Sequence, residues 1–173
     1  MTPVVTPKHQ LFVVKDEHRF SCAHMTLFPD GTKERLHGHN YHVAVAVGWE
    51  HSERFLDLSR IKAVLVELCE ELREHLLMPA GSASVQVLHR DEQSTEMLVC
   101  GKRYVIPSDE VLWLPLDNIV VEELARYLWE RLSEVLCDDL LATGVNTMTV
   151  SVTEASGQGA SYESRPEMRS PCL

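Results

Sequence analysis

Alternating and β-branched apolar residues near the start of the chain predict a pair of long β-strands. Residues 11–14 (LFVV) and 20–24 (FSCAH) indicate one strand, and residues 41–49 (YHVAVAVGW) indicate a second. The turn signal Pro29-Asp30-Gly31 lies between them. The two strands are therefore expected to pair in antiparallel fashion.

Two further segments have the three-and-four spacing of amphipathic helices. The first covers residues 57–77, with Asp57 as the candidate N-terminal cap. The second begins near Asn118, has acidic residues in its first turns and ends near Gly144. Both helices are expected to cover one sheet. Their predicted buried faces consist of Ile61, Val64, Leu65, Leu68, Leu72 and Leu76 in the first helix, and Val121, Leu124, Leu128, Leu132 and Val135 in the second.

The rest of the chain predicts further short strands. Between the helices, residues 84–114 contain several β-prone runs separated by polar residues or glycine, which indicates an inserted hairpin or two. After the second helix, residues 147–153 (TMTVSVT) alternate hydroxyl-bearing and apolar side chains, and Gly157-Gln158-Gly159 can turn the chain back into residues 160–163. The predicted order is a strand pair, a helix, a small β insert, a helix and a second strand pair.

Length and composition favour one domain. The chain has 173 residues, 45% of them hydrophobic, which is enough for a core and too apolar for a disordered segment. We expect a single α+β domain over residues 9–163, with loose ends at residues 1–8 and 164–173.

Charge and cysteine content narrow the partners and the compartment. The formal net charge is -10 and no cluster of Lys and Arg occurs, so nucleic acid is not an expected partner. The five cysteines are widely spaced and form no CxxC motif, which favours reduced thiols in the cytoplasm over disulfides or a cysteine zinc site. No apolar run has the length of a signal peptide core or a membrane span, so no membrane association is expected.

Two histidines one residue apart, His37 and His39, are the clearest chemical signal in the chain. Strand alternation places them on one face together with Tyr41, and places His42 on the other face. Antiparallel pairing would bring His24 opposite them. Three neutral imidazoles suit Zn²⁺, and three protein ligands leave a fourth position for water or substrate, as in catalytic zinc sites. A polar strand end whose histidines bond locally is the alternative that a lone His-x-His motif leaves open.

Six short motifs occur in order along the chain: residues 20–24 (FSCAH), 36–41 (LHGHNY), 55–58 (FLDL), 74–75 (EH), 118–125 (NIVVEELA) and 152–154 (VTE). This ordered set resembles the 6-pyruvoyltetrahydropterin synthase and 6-carboxytetrahydropterin synthase family of zinc enzymes. The resemblance spans most of the chain and implies the tunnelling fold, in which each subunit has a four-stranded antiparallel sheet with two helices on one face. It also implies assembly into a barrel, commonly a homohexamer with active sites at subunit interfaces.

The resemblance assigns roles to several residues. It implies that His24, His37 and His39 bind Zn²⁺, which would hold the hydroxyls of a dihydropterin side chain and lower their pKa. It implies that Glu154 anchors the pterin ring, whose parallel N–H donors a carboxylate matches bidentately. Glu122 is a second candidate for binding the substrate. Without the resemblance, Glu154 is an ordinary strand-end surface residue, and the helix dipole explains an acidic residue at position 122.

The catalytic cysteine that usual family members have a few residues before His-Gly-His is missing here, because residues 32–35 read TKER. Glu34 is the candidate base, since Glu-x-x-His-Gly-His resembles a branch in which glutamate replaces that cysteine. Members of that branch cleave the side chain of 7,8-dihydroneopterin triphosphate to leave 6-hydroxymethyl-7,8-dihydropterin, and a carboxylate suits such a retro-aldol cleavage as general base. The alternative for residues 32–35 is a solvated charged loop. Cys22 shares the face of His24, but a buried strand cysteine is more often a packing residue.

Two more positions depart from the family. Glu74 stands beside His75 where the family has aspartate, so a proton relay through the pair would be arranged differently, although His75 can act alone. Val120 and Val121 stand where the family often has hydroxyl residues near the pterin, which removes hydrogen-bonding groups. The substrate preference is therefore expected to differ from that of better-known members.

Four functions remain open. The favoured hypothesis is a zinc-dependent lyase acting on the side chain of 7,8-dihydroneopterin triphosphate or a related dihydropterin, with Glu34 as base and His75 as acid or relay. The first alternatives are a catalytically impaired pterin-binding paralogue and a 6-carboxytetrahydropterin synthase of deazapurine biosynthesis. The last is an unrelated zinc hydrolase, against which Glu154 argues, because a hydrolase needs no carboxylate aimed at a pterin edge.

Overall fold

The computed structural model describes residues 9–49, 55–155 and 157–166. Most of the two predicted loose ends lies outside these residues, whereas Ser164 is described and closes the last strand. Neither α-helix among the described residues has the length and apolar character that a membrane span requires. The elements in chain order are β1 His9–His24, β2 His37–Trp49, α1 Leu58–Leu72, β3 Leu76–Pro79, β4 Val85–Arg90, β5 Ser94–Val99, β6 Lys102–Pro107, β7 Val111–Leu114, α2 Val121–Ala142, β8 Thr147–Ala155 and β9 Gln158–Ser164.

The main sheet contains the predicted four antiparallel strands and two further short strands, β3 and β7, whose place in this sheet was not predicted. Its order is β7-β3-β1-β2-β8-β9, in which β1, β2, β8 and β9 pair antiparallel. The short strands β3 and β7 extend the sheet in parallel. All four residues of β3 are buried, so its sequence is a continuous apolar run, which periodicity cannot distinguish from a buried helical segment.

The first helix is shorter than predicted. It begins after Asp57, whose carboxylate accepts the backbone N–H of Ser59 at 2.9 Å, as expected of the cap. It ends at Leu72 rather than near residue 77, because Arg73 is extended and Glu74 has a left-handed φ of 59°. The assignment of Leu76 to the helical face is therefore wrong, since this residue opens β3.

The second helix follows its predicted course with one error. It runs over Val121–Ala142, and Leu124, Leu128 and Leu132 are fully buried. Val135 is 48% exposed, so its assignment to the buried face is wrong. The buried stripe continues instead through Leu136 one position later, because the 3.6-residue period drifts off a strict spacing of four.

The predicted β insert is divided between two sheets. Strands β4, β5 and β6 form a separate three-stranded antiparallel sheet. The last run of the insert, β7, joins the main sheet beside β3 instead. Met97 and Val99 of β5 are buried in a small cluster with Met25, Leu27 and Met78. The insert therefore packs against the segment that leaves β1.

Pairing of β1 with β2 positions the histidines as predicted. The two strands are antiparallel, with His24 directly opposite His37. Tyr41 is fully buried on the face shared with His39, whereas His42 is exposed on the other face. The predicted alternation along β2 is therefore confirmed.

An irregularity in β1 encloses another histidine. The pairing register with β2 shifts within residues 14–19, and His18 in this segment is fully buried. Neither of its ring nitrogens has a hydrogen-bond partner among the described residues. Burial lowers the pKa of His18, because the charged imidazole is removed from water; Glu17 opposes this effect, and Lys15 and Lys62 add to it.

We expect the stability of the fold to decrease as the pH falls below about 6.5, the ordinary pKa of histidine. The unfolded chain binds the proton of His18 near that pH, whereas the folded chain remains neutral to lower pH, so acid favours unfolding. Thermal unfolding at about pH 7.5 and about pH 5.5 would measure the loss. The variant His18→Leu, which is similar in volume and does not titrate, should show a smaller drop in Tm between the two conditions. An equal drop in variant and wild type would exclude His18 as a cause.

Candidate metal centre and active site

Three histidines from β1 and β2 meet at one end of the main sheet. One ring nitrogen from each of His24, His37 and His39 lies within 4.8 Å of the other two. His24 is buried, and His37 and His39 are half-buried. The strand pairing explains the cluster, because His24 faces His37 across the ladder and His39 follows two residues later on the same face.

Backbone carbonyls orient two of these imidazoles. Nδ1 of His24 donates to the carbonyl oxygen of Ile119 at 2.9 Å, and Nδ1 of His37 donates to that of Arg35 at 2.7 Å. Because a carbonyl oxygen can only accept, the ring proton is assigned to Nδ1, and the lone pair of Nε2 is available to a metal. Hydrogen bonds of this type commonly fix metal-binding histidines.

The spacing of the nitrogens suits a tetrahedral ion. The Nε2 atoms of His37 and His39 are 3.1 Å apart. Two nitrogens bound to one zinc ion lie roughly 3.4 Å apart, given zinc–nitrogen distances of about 2.0–2.1 Å. The three histidines can therefore hold a metal with small adjustments, and imidazole donors suit transition-metal ions, Zn²⁺ among them.

Burial also keeps one histidine of the cluster, His24, in a suitable protonation state. It lowers the pKa of His24, so this imidazole is neutral at physiological pH, as a ligand must be. The Tyr41 hydroxyl lies 3.2 Å from Nε2 of His24. Burial, with further contributions from nearby negative groups that include Glu154 and Glu34, raises the pKa of Tyr41, so the phenol remains a donor.

A cavity of about 460 Å³ surrounds the histidines and also contains three carboxylates. Glu34 Oε2 lies 3.9 Å from Nε2 of His37, and Glu154 Oε2 lies 3.8 Å from Nε2 of His39. Glu122, in the first turn of α2, lines the same cavity. The structure thus brings Glu34, Glu122 and Glu154 together with the three histidines, from four separate parts of the chain.

Of the two carboxylates that lie near the histidines, Glu154 is more enclosed than Glu34. Its side chain is 13% exposed, against 44% for Glu34. The pairing of β8 with β9 is irregular between Thr153 and Ala155, and such bulges redirect a side chain. The amide of Gln158, across the turn, donates to the Glu154 carboxylate. Sequence reasoning did not identify Gln158, because a polar residue between two glycines has no feature beyond a turn.

Glu74 and His75 occupy a different place. Neither lines the cavity around the histidines among the residues that the structure describes. They lie at the edge of β1 that faces away from β2, just before β3, where Glu74 N–H donates to the Ser21 carbonyl at 2.7 Å and the His75 carbonyl accepts from Ala23 N–H at 2.9 Å. Nδ1 of His75 is enclosed without a hydrogen-bond partner in the described part of the chain.

Comparison with known proteins identifies the family of the chain. A family model described as 6-pyruvoyl tetrahydropterin synthase matches residues 13–165. The chain belongs to this family. A protein of Methanocaldococcus jannaschii, provisionally assigned as a 6-carboxy-5,6,7,8-tetrahydropterin synthase, is 32% identical over 154 residues, which cover 87% of this chain and 93% of that protein.

Solved structures of the family have the same fold. The crystal structure of 6-pyruvoyl tetrahydropterin synthase from Plasmodium vivax superposes with a TM-score of 0.84 at 25% identity, covering 92% of this chain and 99% of that one. A variant of the Plasmodium vivax enzyme, in which alanine replaces a glutamate described as a catalytic residue, gives a TM-score of 0.83 at 24% identity, with coverage of 92% and 99%. The predicted family and the predicted α+β tunnelling fold are therefore confirmed.

Membership of the 6-pyruvoyl tetrahydropterin synthase family makes this chain part of a group of enzymes that process small pterins. The histidine cluster agrees with the metal site predicted for the family, since it can hold an ion. The individual roles of the glutamates and of His75 stay predictions. Cys22 does not suit the role of the missing base, because burial raises its pKa to about 12 and the thiol remains protonated.

Asn118 connects two parts of this pterin synthase-like site, which sequence reasoning did not foresee. Its side-chain oxygen accepts from Leu27 N–H at 3.0 Å, and its amide donates to the Leu27 carbonyl at 2.8 Å. The adjacent carbonyl of Ile119 holds His24. The segment before α2 therefore fixes both a histidine of the cluster and the loop that leads to Glu34.

The β insert supports the Glu34 loop from the other side. Nζ of Lys33 lies 5.0 Å from the centre of the Tyr104 ring and donates to the Glu34 carbonyl oxygen at 2.9 Å. Cys100 Sγ lies 3.5 Å from the Thr32 carbonyl oxygen. Tyr104 thus contacts the ammonium that binds the Glu34 backbone, and so connects the insert to the Glu34 loop.

We expect Tyr104→Leu to lower kcat about two- to fivefold, the effect of losing an exposed cation–π contact of about 0.5–1 kcal/mol. Tyr104→Phe retains the ring face and should remain close to wild type. Steady-state kinetics and thermal unfolding of both variants provide the measurement. Equal loss of kcat in the Leu and Phe variants, or an unchanged kcat in both, would contradict a role of the ring in holding Lys33.

Proposed function

We propose that this protein is a zinc-dependent lyase that acts on the side chain of 7,8-dihydroneopterin triphosphate or a related dihydropterin. The main support is one cavity that combines three histidines able to hold a metal with the carboxylates of Glu34, Glu122 and Glu154. Family membership points to a pterin as substrate. Zn²⁺ in this cluster would polarise the hydroxyls of the substrate side chain.

Glu154 is the proposed anchor of the pterin ring. Its carboxylate is well enclosed and fixed by Gln158, so its orientation is set before the substrate binds. A carboxylate matches two parallel N–H donors of the ring bidentately. Glu154 lies 3.8 Å from His39, so a ring bound there has its side chain in the cavity that the histidines line. Glu122 is a further contact for the substrate on the α2 side.

Glu34 is the proposed general base. In a retro-aldol cleavage it accepts the proton of the 2′-hydroxyl as the bond between C1′ and C2′ breaks, so that C2′ becomes an aldehyde. The electron pair moves to C1′, which then takes a proton from an acid and leaves a hydroxymethyl group. The position of Glu34 beside His37 supports this role. A glutamate is also described as a catalytic residue in the Plasmodium vivax enzyme.

His75 is the proposed acid or relay, with Glu74 beside it, acting in the site of a neighbouring copy. Both residues lie at the edge of β1 that faces away from β2, outside the cavity of their own chain. An assembly that brings this edge to the cavity of another copy would complete the site. We propose a homo-oligomer, and a hexamer by resemblance to the family.

Mixed oligomers test the shared site. Glu34→Ala and His75→Ala are each expected to be inactive alone. Co-assembly of the two variants in equal amounts should restore activity in roughly a quarter of the sites, because an intact glutamate and an intact histidine then meet across some interfaces by chance. Restoration can be followed by turnover after joint refolding. No restoration from two well-folded variants would place both residues in one subunit's site or exclude one of them.

The product distinguishes the main proposal from its alternatives. Zinc-loaded protein would be incubated with 7,8-dihydroneopterin triphosphate and the pterin identified by mass spectrometry. A 6-hydroxymethyl product supports cleavage by Glu34. A 6-pyruvoyl product, or a 6-carboxy product as the Methanocaldococcus jannaschii relative suggests, would indicate synthase chemistry instead. Bound pterin without any product would favour a catalytically impaired paralogue.

A further inference from the structure

A second cavity, about 370 Å³ in volume, lies beside β1 and β2. Its lining consists of Arg19, Phe20, Ser21, Asn40, His42 and Arg73. None of the residues proposed for metal binding or catalysis belongs to this lining.

This cavity opens on the face of the sheet opposite the metal centre. Arg19 pairs with His42 across the two strands, and Ser21 pairs with Asn40. Along β2 these positions alternate with Tyr41, Val43 and Val45, which are part of the hydrophobic core. The sheet therefore separates the linings of the two cavities of one chain.

Hydrogen-bond donors dominate the lining. Arg19 and Arg73 supply two guanidinium groups, and His42, Asn40 and Ser21 add an imidazole, an amide and a hydroxyl. Among the described residues no carboxylate lines the cavity. This contrasts with a chain whose formal net charge is -10. Such a concentration of donors in an acidic protein is suited to an anion.

Arg73 is preorganised and incompletely satisfied. Its Nη2 donates to the Arg19 carbonyl at 3.2 Å and to the Glu70 carboxylate at 2.7 Å, which fixes the guanidinium beside the cavity. Its Nε is enclosed and has no acceptor among the described residues. An enclosed N–H donor without an acceptor is unfavourable, and an anionic oxygen in the cavity would supply an acceptor for Nε.

We propose that this cavity binds the phosphate groups of an anionic ligand. Guanidinium groups match phosphate oxygens with paired hydrogen bonds, and the volume accommodates more than one phosphate group. Two sources have this chemistry: the phosphate tail of a dihydropterin held by another copy of the chain, and a free phosphate ligand. Only the first source rests on the proposed function.

Inorganic pyrophosphate is the probe, with binding measured by calorimetry on the full chain. Arg19→Ala and Arg73→Lys should each weaken binding about tenfold or more, the scale of one lost charge-assisted contact. Arg90→Ala, which removes an exposed arginine of the insert, is the matched control and should bind as wild type does. His39→Ala, which disrupts the metal cluster, should still bind pyrophosphate. Undetectable binding to wild type, or equal binding to wild type and both cavity variants, would overturn the proposal.

Kinetics with two substrates show whether the bound phosphate groups belong to the pterin substrate or to a free phosphate ligand. Arg19→Ala should raise KM for 7,8-dihydroneopterin triphosphate but not for unphosphorylated 7,8-dihydroneopterin if the cavity receives the substrate tail. If KM for both is unchanged while pyrophosphate binding is weakened, the ligand is a free phosphate compound. The pyrophosphate measurement requires no turnover, so failure of the proposed reaction would leave the anion site testable.

Discussion

Replacing Glu34 with glutamine is expected to lower kcat by about 10²–10⁴-fold, the usual contribution of a positioned general base, while metal content stays unchanged. Glutamine is similar in size and keeps one carbonyl oxygen, but it cannot accept the proton that the cleavage step releases. Glu34 lies 3.9 Å from His37 Nε2 and does not belong to the histidine cluster that can hold the ion. Its loss should therefore leave the metal in place. Turnover and metal content would be measured on the same preparation.

Two further variants make this test more specific: a control substitution at another exposed glutamate, and a cysteine substitution at Glu34. Glu92→Gln changes an exposed glutamate in the turn between β4 and β5, far along the chain from the loop, and should retain wild-type activity. Glu34→Cys introduces the thiol that usual family members have near this position, so a change from cleavage to a 6-pyruvoyl product would show that this residue selects the reaction. Full activity of Glu34→Gln would remove Glu34 from the mechanism.

The metal cluster was predictable because it depends on strand geometry. Alternation along β2 places His37 and His39 on one face, and a simple antiparallel pairing brings His24 opposite. These relations follow from local sequence and one turn. By contrast, the contacts that orient the rings come from Ile119 and Arg35 through their backbone carbonyls, which no side-chain motif reveals.

The errors of sequence reasoning arise where tertiary contacts override local pattern. The run at residues 76–79 continues the apolar spacing of α1, yet Glu74 takes a left-handed conformation and the chain joins the sheet as β3. The run at residues 111–114 likewise joins the main sheet, where it pairs with β3 rather than with the rest of the insert. A short apolar run does not indicate which partner it will have.

The contact between the insert and the Glu34 loop also could not be predicted from the sequence. Tyr104 and Lys33 are far apart along the chain, and each looks like an ordinary surface residue in its own segment. Their contact gives the insert a role in the proposed chemistry, because the loop that lacks the usual cysteine is held by β6 on one side and by Asn118 on the other. These contacts restrict the loop from two sides, and a base must be held in place by such supporting contacts to act in catalysis.

Replacing His39 with alanine is expected to reduce bound metal from about one ion per chain to near zero, and activity with it. Two imidazoles remain in that variant, which is fewer than the three protein ligands of catalytic zinc sites. His42→Ala is the matched control, because this residue lies on the same strand but faces away from the cluster, so its metal content should equal that of wild type. Elemental analysis after dialysis, with circular dichroism to verify folding, gives the measurement. Full metal retention in folded His39→Ala would show that the ion binds elsewhere, and the proposed roles of Glu34 and Glu154 beside it would lose their basis.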